Sequence, residues 1–355
     1  MVTSFQHATR QNITNRGRAD YSSGGQSSIA LPEVGYLARI HVLFSGVMNV
    51  VPGTGTAVIS ERAPWNLLRR LRFEAGSGTA IFNTSGWGSY LVDLRSRLGY
   101  RPEDGRISAP FAAQIYAAGA STGNNDWRFG LTIPITPNER DDAGMILLQA
   151  AGTVTQMMFE WQAAYGPTHD FPIVTTGNAT ASFVGGVKMY LETFTVPSEG
   201  QSQAQLNTVH QTIERVDPIS FVGDNTVKYL LQNTYTRLIH SVEINGLLNT
   251  DAVDRLILRY NLTDVPYDED RPIQLYLDRR RYTRDMPKGV FVRELLDQGY
   301  PNFGGDRDLI QAKDLAALET ILTIASGTVL GSNNNQIRTI QQQFVELGTP
   351  PAQPM

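Results

Sequence analysis

Cysteine is absent from the 355 residues, which rules out a disulfide framework, a thiolate metal site and a Cys nucleophile. Stability has to come from packing and association. Basic surplus is missing too: 30 Lys and Arg stand against 34 Asp and Glu, and a net charge of -4 supplies no global field for duplex DNA. Sequence-specific nucleic-acid binding is not expected. The most apolar stretch, Val34 to Val51, is broken by Arg39 and His41, and the opening MVTSFQHATRQNITNRGRAD has no apolar h-region. Neither a membrane span nor a signal peptide is expected.

Signatures of catalysis are also lacking. There is no G-x-S-x-G elbow and no Walker A loop, and the histidines at 7, 41, 169, 210 and 240 show none of the short metal-ligand spacings. Asp141 with Asp142, and Asp268 to Asp270, imitate a hydrolase carboxylate pair, but adjacent acids of this kind usually serve as caps and turns. The expectation is a protein that is not an enzyme and uses no cofactor or metal.

What is present points to β structure. An apolar content of 41% over this length exceeds what one core usually accommodates, so two domains are expected, and 32 Gly with 18 Pro indicate many turns. Residues 1–30 are polar and pass through the Gly/Ser-rich Ser22 to Ser28, which reads as a flexible amino-terminal arm. Alternating and β-branched residues then predict strands at Tyr36 to Phe44, Ala57 to Ser60, Trp65 to Ala75, Phe129 to Thr136, Thr153 to Tyr165 and Ala181 to Val196. Between them Trp87, Tyr90, Leu91, Leu94 and Leu98 fall at helical spacing, stopped by Gly99 and Pro102. Trp87 in that apolar stripe reads as core.

The second half repeats the order. Pro197 to Gln205 reads as a linker; Thr234 to Asn245 and Ala252 to Leu262 read as strands, followed by a helix from Asp270 and further strands at Val290 to Leu295, Asp308 to Gln311, Leu318 to Ile324 and Gln336 to Val345. For that helix Asp268, Glu269 and Asp270 suit the amino end, Pro272 is tolerated in the first turn, and Pro287 with Gly289 forbids continuation. Asp278 to Arg281 and Arg281 to Asp285 are spaced as charge pairs, Ile273, Tyr276 and Leu277 are spaced to cover a sandwich, and Lys288 suits the carboxyl end. Arg279, Arg280, Arg281 and Arg284, offset by Asp278 and Asp285, are read as contacts between sandwiches or subunits. The fold class is all-β, two consecutive eight-stranded jelly rolls, each with a helix in an inter-strand connection. Expected boundaries are 1–30 for the arm, 31–197 for the first roll, 198–233 for the linker and entry to the second, 234–347 for the second roll and 348–355 for a tail.

Two local motifs resemble one family, the double jelly-roll major capsid proteins of tectivirus-type, internal-membrane bacteriophages, related in architecture to adenovirus hexon. Ser85-Gly86-Trp87 resembles the start of that family's first-roll helix. Arg279-Arg280-Arg281, with Asp285 and Pro287-Lys288-Gly289-Val290, resembles the second-roll helix and the strand after it. The likeness spans Pro32 to Leu347; the family's amphipathic amino-terminal helix has no counterpart in Ser22 to Ser28. It implies homotrimeric, pseudo-hexagonal capsomers tiling an icosahedral shell over an internal membrane, located in the virion and assembled in the host cytoplasm. The implied partners are other copies of the chain, minor capsid and vertex proteins, and the internal membrane through the amino-terminal arm. A β-sandwich carbohydrate-binding or spike protein is the alternative.

Overall fold

The computed structural model describes residues 9–32, 34–51, 53–75, 79–96, 115–116, 123–137, 144–148, 155–163, 171–196, 208–282, 285–296, 309–331 and 334–346. His7, Leu98, Gly99, Pro102, Asp141, Asp142, His169, the stretch Pro197 to Gln205, Arg284 and the tail 348–355 lie outside these residues. The chain divides into two compact units, one of Met1–Thr136 with Asp142–Leu206 and one of Pro137–Asp141 with Asn207–Met355.

In chain order the first unit holds β1 (Gln11–Asp20), β2 (Gln26–Ala30), β3 (Tyr36–Val51), β4 (Ala57–Ile59), β5 (Leu68–Ala75), β6 (Thr79–Thr84), α1 (Gly86–Ser96), β7 (Ile115–Tyr116), β8 (Gly123–Pro134), β9 (Ile146–Leu147), β10 (Gln156–Trp161), β11 (Ile173–Thr175) and β12 (Thr180–Phe194). The second holds β13 (Thr208–Pro218), β14 (Gly223–Lys228), β15 (Thr234–Ile244), β16 (Leu247–Leu248), β17 (Val253–Tyr260), β18 (Asp264–Asp270), α2 (Arg271–Tyr282), β19 (Val290–Glu294), β20 (Ile310–Gln311), β21 (Leu318–Ile324) and β22 (Gln336–Glu346).

Both units wind their strands in the same order. In the first, β1-β12-β3-β8 form one antiparallel sheet and β2-β10-β5-β6 the other. In the second, β13-β22-β15-β19 correspond to the former and β14-β21-β17-β18 to the latter. Each unit has its first strand beside its last, and each helix lies between the fifth and sixth principal strands. That is the jelly-roll order, twice.

The shared order corrects the expected arm. Residues 11–20 and 26–30 are the first two strands of the first roll: β1 pairs along β12 from Gln11 opposite Phe194 to Asp20 opposite Gly186. In the second unit β13 and β14, the first strands of that roll, fall inside 198–233, expected as the linker and entry to it. Smaller differences are that Trp65–Leu67 form a 3-10 turn ahead of β5 and that β3 continues past Phe44 to Val51.

Alternation along β3 puts Ile40, Val42 and Phe44 in the core and Arg39, His41 and Leu43 on the other face. Aromatic rings then link the first core in series. Trp87 meets Tyr90 at 5.2 Å, Tyr90 stacks on Trp65 at 4.5 Å, Trp65 meets Phe129 edge-on at 5.2 Å, and Phe129 stacks on Phe44 at 4.4 Å. The helix α1 is fitted to that series by its first residues. Ser85 caps it, its Oγ accepting from the Gly88 N–H at 3.0 Å, and a Cβ on Gly86 would sit 1.9 Å from the Trp65 carbonyl oxygen. Only glycine lets the helix start there.

Gly86→Ala should therefore cost about 2–3 kcal/mol in chemical denaturation, whereas Gly327→Ala, where a Cβ meets nothing within 4 Å, serves as a neutral control. Removing residues 1–20 takes away β1 and bares the edge of β12, so the truncated chain should lose its soluble yield or its cooperative melt. A truncated chain melting like the full one would return that segment to the role of an arm.

Candidate functional site

The helix α2 packs along a strand whose backbone would otherwise be open. β19 pairs with β15 on one side. On the other, the Gln274 Nε2 donates to the Val292 carbonyl at 2.9 Å and the Val292 N–H donates to Asp278 Oδ2 at 3.1 Å. Two side chains one helical turn apart thus supply the donor and acceptor that a neighbouring strand would provide. Four residues further on, Tyr282 donates its hydroxyl to Glu294 Oε2 at 2.6 Å. Gln274, Asp278 and Tyr282 are all buried.

This overturns the expected facing of the helix. Ile273 and Tyr276, expected to cover the sandwich, are 44% and 57% exposed, because the edge it covers needs hydrogen bonds more than apolar surface. Apolar cover comes from Leu275, packed against the second core. The acids before the helix close a strand and lie outside its first turn. Asp268 and Glu269 belong to β18: Asp268 takes a two-pronged contact from Arg255, and Glu269 takes one from Arg293. Asp278 is turned inward against Val292, and Asp285 approaches Arg279 at 3.5 Å with both side chains largely exposed. Arg280 and Lys288 are exposed as well, while Arg281 is half-buried and close enough to help hold the Glu294 charge. Trp87, in the other unit, is buried against Tyr90.

Behind the helix lies a buried polar layer that sequence reasoning missed, since its members come from four strands far apart in the chain. Arg237 donates to Glu294 at 2.5 Å and to Gln342 Oε1 at 2.7 Å, and Gln342 Nε2 donates to Thr212 at 3.2 Å. Arg338 joins Glu214 and Glu243, and Gln336 donates to Glu243 at 2.7 Å. Arg293 also reaches Gln274 Oε1 at 3.3 Å and lies 4.2 Å from the Tyr267 ring centroid. Burial would push the Glu294 carboxyl up, but Arg237, the Tyr282 hydroxyl and Arg281 together hold it below the usual carboxylate range.

Two histidines sit in this unit as neutral groups. Burial, with Arg237 beside one and Arg293 beside the other, pushes His210 and His240 down to about 3. The Thr236 hydroxyl gives its proton to the Gln342 carbonyl at 3.0 Å, so at 3.1 Å it accepts from His210 Nε2–H, which fixes the tautomer. His240 Nδ1 lies 3.2 Å from the Thr339 hydroxyl.

In the first unit Thr132, His41 and Glu192 form a hydroxyl–imidazole–carboxylate series at 3.1 and 3.2 Å. Glu192 also accepts from Gln11 at 2.6 Å and Arg39 at 2.5 Å, so the group works as a clamp across β8, β3, β12 and β1. Burial would raise the Glu192 carboxyl, but the bond from His41, the charge of Arg39 and the bond from Gln11 lower it. Among the described residues no group of three or more His, Asp or Glu side chains is placed to hold a metal ion.

Replacing Arg237 by Leu strands the Glu294 charge and should cost about 3–5 kcal/mol, against about 1–2 for Tyr282→Phe, in urea unfolding. Acid should weaken the fold in the same place. The folded pKa of each buried histidine lies below its unfolded value near 6.5, so below pH 6.5 the unfolded chain binds more protons and stability falls. The slope should approach about 1.4 kcal/mol per pH unit for each histidine. Melting curves from pH 7.5 to 5 should show this, and His210→Gln should flatten it.

No protein-family model matches the sequence, and no curated protein matches it. Solved structures do match. The MCP of STIV, Sulfolobus turreted icosahedral virus, superposes with a TM-score of 0.71 at 12% identity, over 95% of this chain and 97% of that one. The PBCV-1 virus capsid protein does so at 0.61 and 11% identity, over 96% and 95%. The major capsid protein P2 of bacteriophage PM2 gives 0.53 at 9% identity, over 96% and 99%. Likeness over nearly the whole length of each, with the strand order found twice above, identifies the architecture: the chain has the double jelly-roll fold seen in viral major capsid proteins.

Proposed function

We propose that this protein is a major capsid protein, the structural subunit of an icosahedral virion. The observation that carries the reading is the pair of jelly rolls of identical strand order, matched over 95% of the chain by the STIV structure. Three chains would place six rolls in one pseudo-hexagonal capsomer, and closed cyclic symmetry leaves no open-ended association. Such capsomers would tile a shell over an internal membrane, be assembled in the host cytoplasm, and meet minor capsid and vertex proteins at their margins.

The chemistry of the chain supports a structural role. Its buried charges bond to one another across strands, as Arg237 does to Glu294 and Arg338 to Glu214 and Glu243, which locks sheets instead of presenting groups to a substrate. In this reading Trp87 is a core anchor of α1. Arg279, Arg280, Arg281, Arg284, Asp285 and Lys288 are the contacts offered to neighbouring copies. Because residues 11–20 and 26–30 are strands, contact with a membrane at the amino end would fall to the residues ahead of β1.

Sedimentation velocity of the purified protein at micromolar concentration should give a species of three chains. A monomer under those conditions would count against the capsomer, and retention on a glycan array would favour a carbohydrate-binding protein instead.

A further inference from the structure

The outward face of α2 has the composition of an interface and carries opposite charge at its two ends. It presents Ile273, 44% exposed, Tyr276, 57% exposed, and the exposed Arg279 and Arg280. Tyr and Arg are the residues most enriched in binding hot spots, and an apolar pair between them is not what a solvated helix needs. At the amino end stand Asp251, Asp254, Asp268 and Asp270, with Asp224 near enough to act on Arg255; Arg255 and Arg271 are the cations among them. At the carboxyl end stand Arg279, Arg280, Arg281 and Lys288 with Asp285. Twelve residues separate these ends by roughly 18 Å, more than a Debye length of about 8 Å, so each acts as its own patch.

A surface basic at one end, acidic at the other and apolar between is complementary to itself when reversed. We propose that α2 docks antiparallel on α2 of a second copy around a two-fold axis, with Tyr276 facing Tyr276 and each Arg280 reaching the Asp268 and Asp270 end of its partner. The contact is isologous, so both charge pairs form at once. Stacking in parallel would set like charge on like. A polyanion would engage the basic end alone, be repelled by the acidic end and leave Ile273 and Tyr276 uncovered. A two-fold contact is distinct from a three-fold capsomer axis and would join one capsomer to the next. It rests on the proposal that copies of this chain assemble.

The absence of cysteine gives a clean test. Tyr276→Cys introduces a single thiol, and a disulfide needs the two Cα atoms about 4.4–6.8 Å apart. In assembled material, mild oxidation should link most Tyr276→Cys chains in pairs, while Val329→Cys, at a position 79% exposed, should give few. Adding Arg280→Glu should lower the paired fraction at least tenfold, and adding Asp270→Arg to that chain should restore it. Equal linking at 276 and 329, or no linking at 276, overturns the two-fold contact. Sedimentation of the same samples reports separately on the capsomer: trimers without linked pairs would leave the capsid reading standing and remove only this one.

Discussion

A strand at the edge of a sheet carries backbone N–H and C=O groups that must be bonded or left to water, and the second roll meets that requirement with two side chains. Gln274 and Asp278 bond the carbonyl and the N–H of Val292, and this fixes how α2 is rotated about its axis. The rest follows from the rotation. Tyr282, one turn on, is brought to Glu294, and Glu294 leads through Arg237 to Gln342 on β22 and on to Thr212 on β13. Ile273, Tyr276, Arg279 and Arg280 are left outside. Loss of one polar contact therefore reaches from a helix surface into the middle of the sheet, in surroundings where an unpaired charge is costly.

The division into two β-rich halves, each with one helix, was legible because both helices carry local punctuation. Ser85-Gly86 starts the first, and Pro287 with Gly289 forbids extension of the second. Interior strands such as β15 and β21 were legible through their continuous or alternating apolar runs. The first two strands of each roll were not. β1 buries little besides Ala19 and pairs on one side, so its residues read as a polar arm. β13 and β14 hide in the same way, since mixtures of polar and β-branched residues such as the TVHQTIERVDP of Thr208–Pro218 satisfy a strand whose partner β22 is also polar. Edge and polar strands are specified by their partners, and partners 120 or more residues away leave no local pattern, as with Glu214 and Arg338.

The facing of α2 was misread for a related reason. Helical periodicity distinguishes an apolar stripe from a polar one and takes the apolar stripe to be inward, which holds when a helix covers a core. Here it covers a strand edge, and a buried Gln and Asp do more than an Ile would. The acidic run Asp268 to Asp270 likewise carried the charge of a helix amino end while serving as the last residues of a strand, bound sideways by Arg255 and Arg293.

A fold does not by itself confer a function, and jelly rolls serve many. What favours the proposed role is duplication: two rolls of one strand order in a single chain, with charged groups consumed in cross-strand bonds, would form a six-fold-like tile if three copies met. Images of the purified protein in negative stain test this most directly. The account predicts particles with three-fold symmetry and a hexagonal outline; a field of single molecules at micromolar concentration would contradict it.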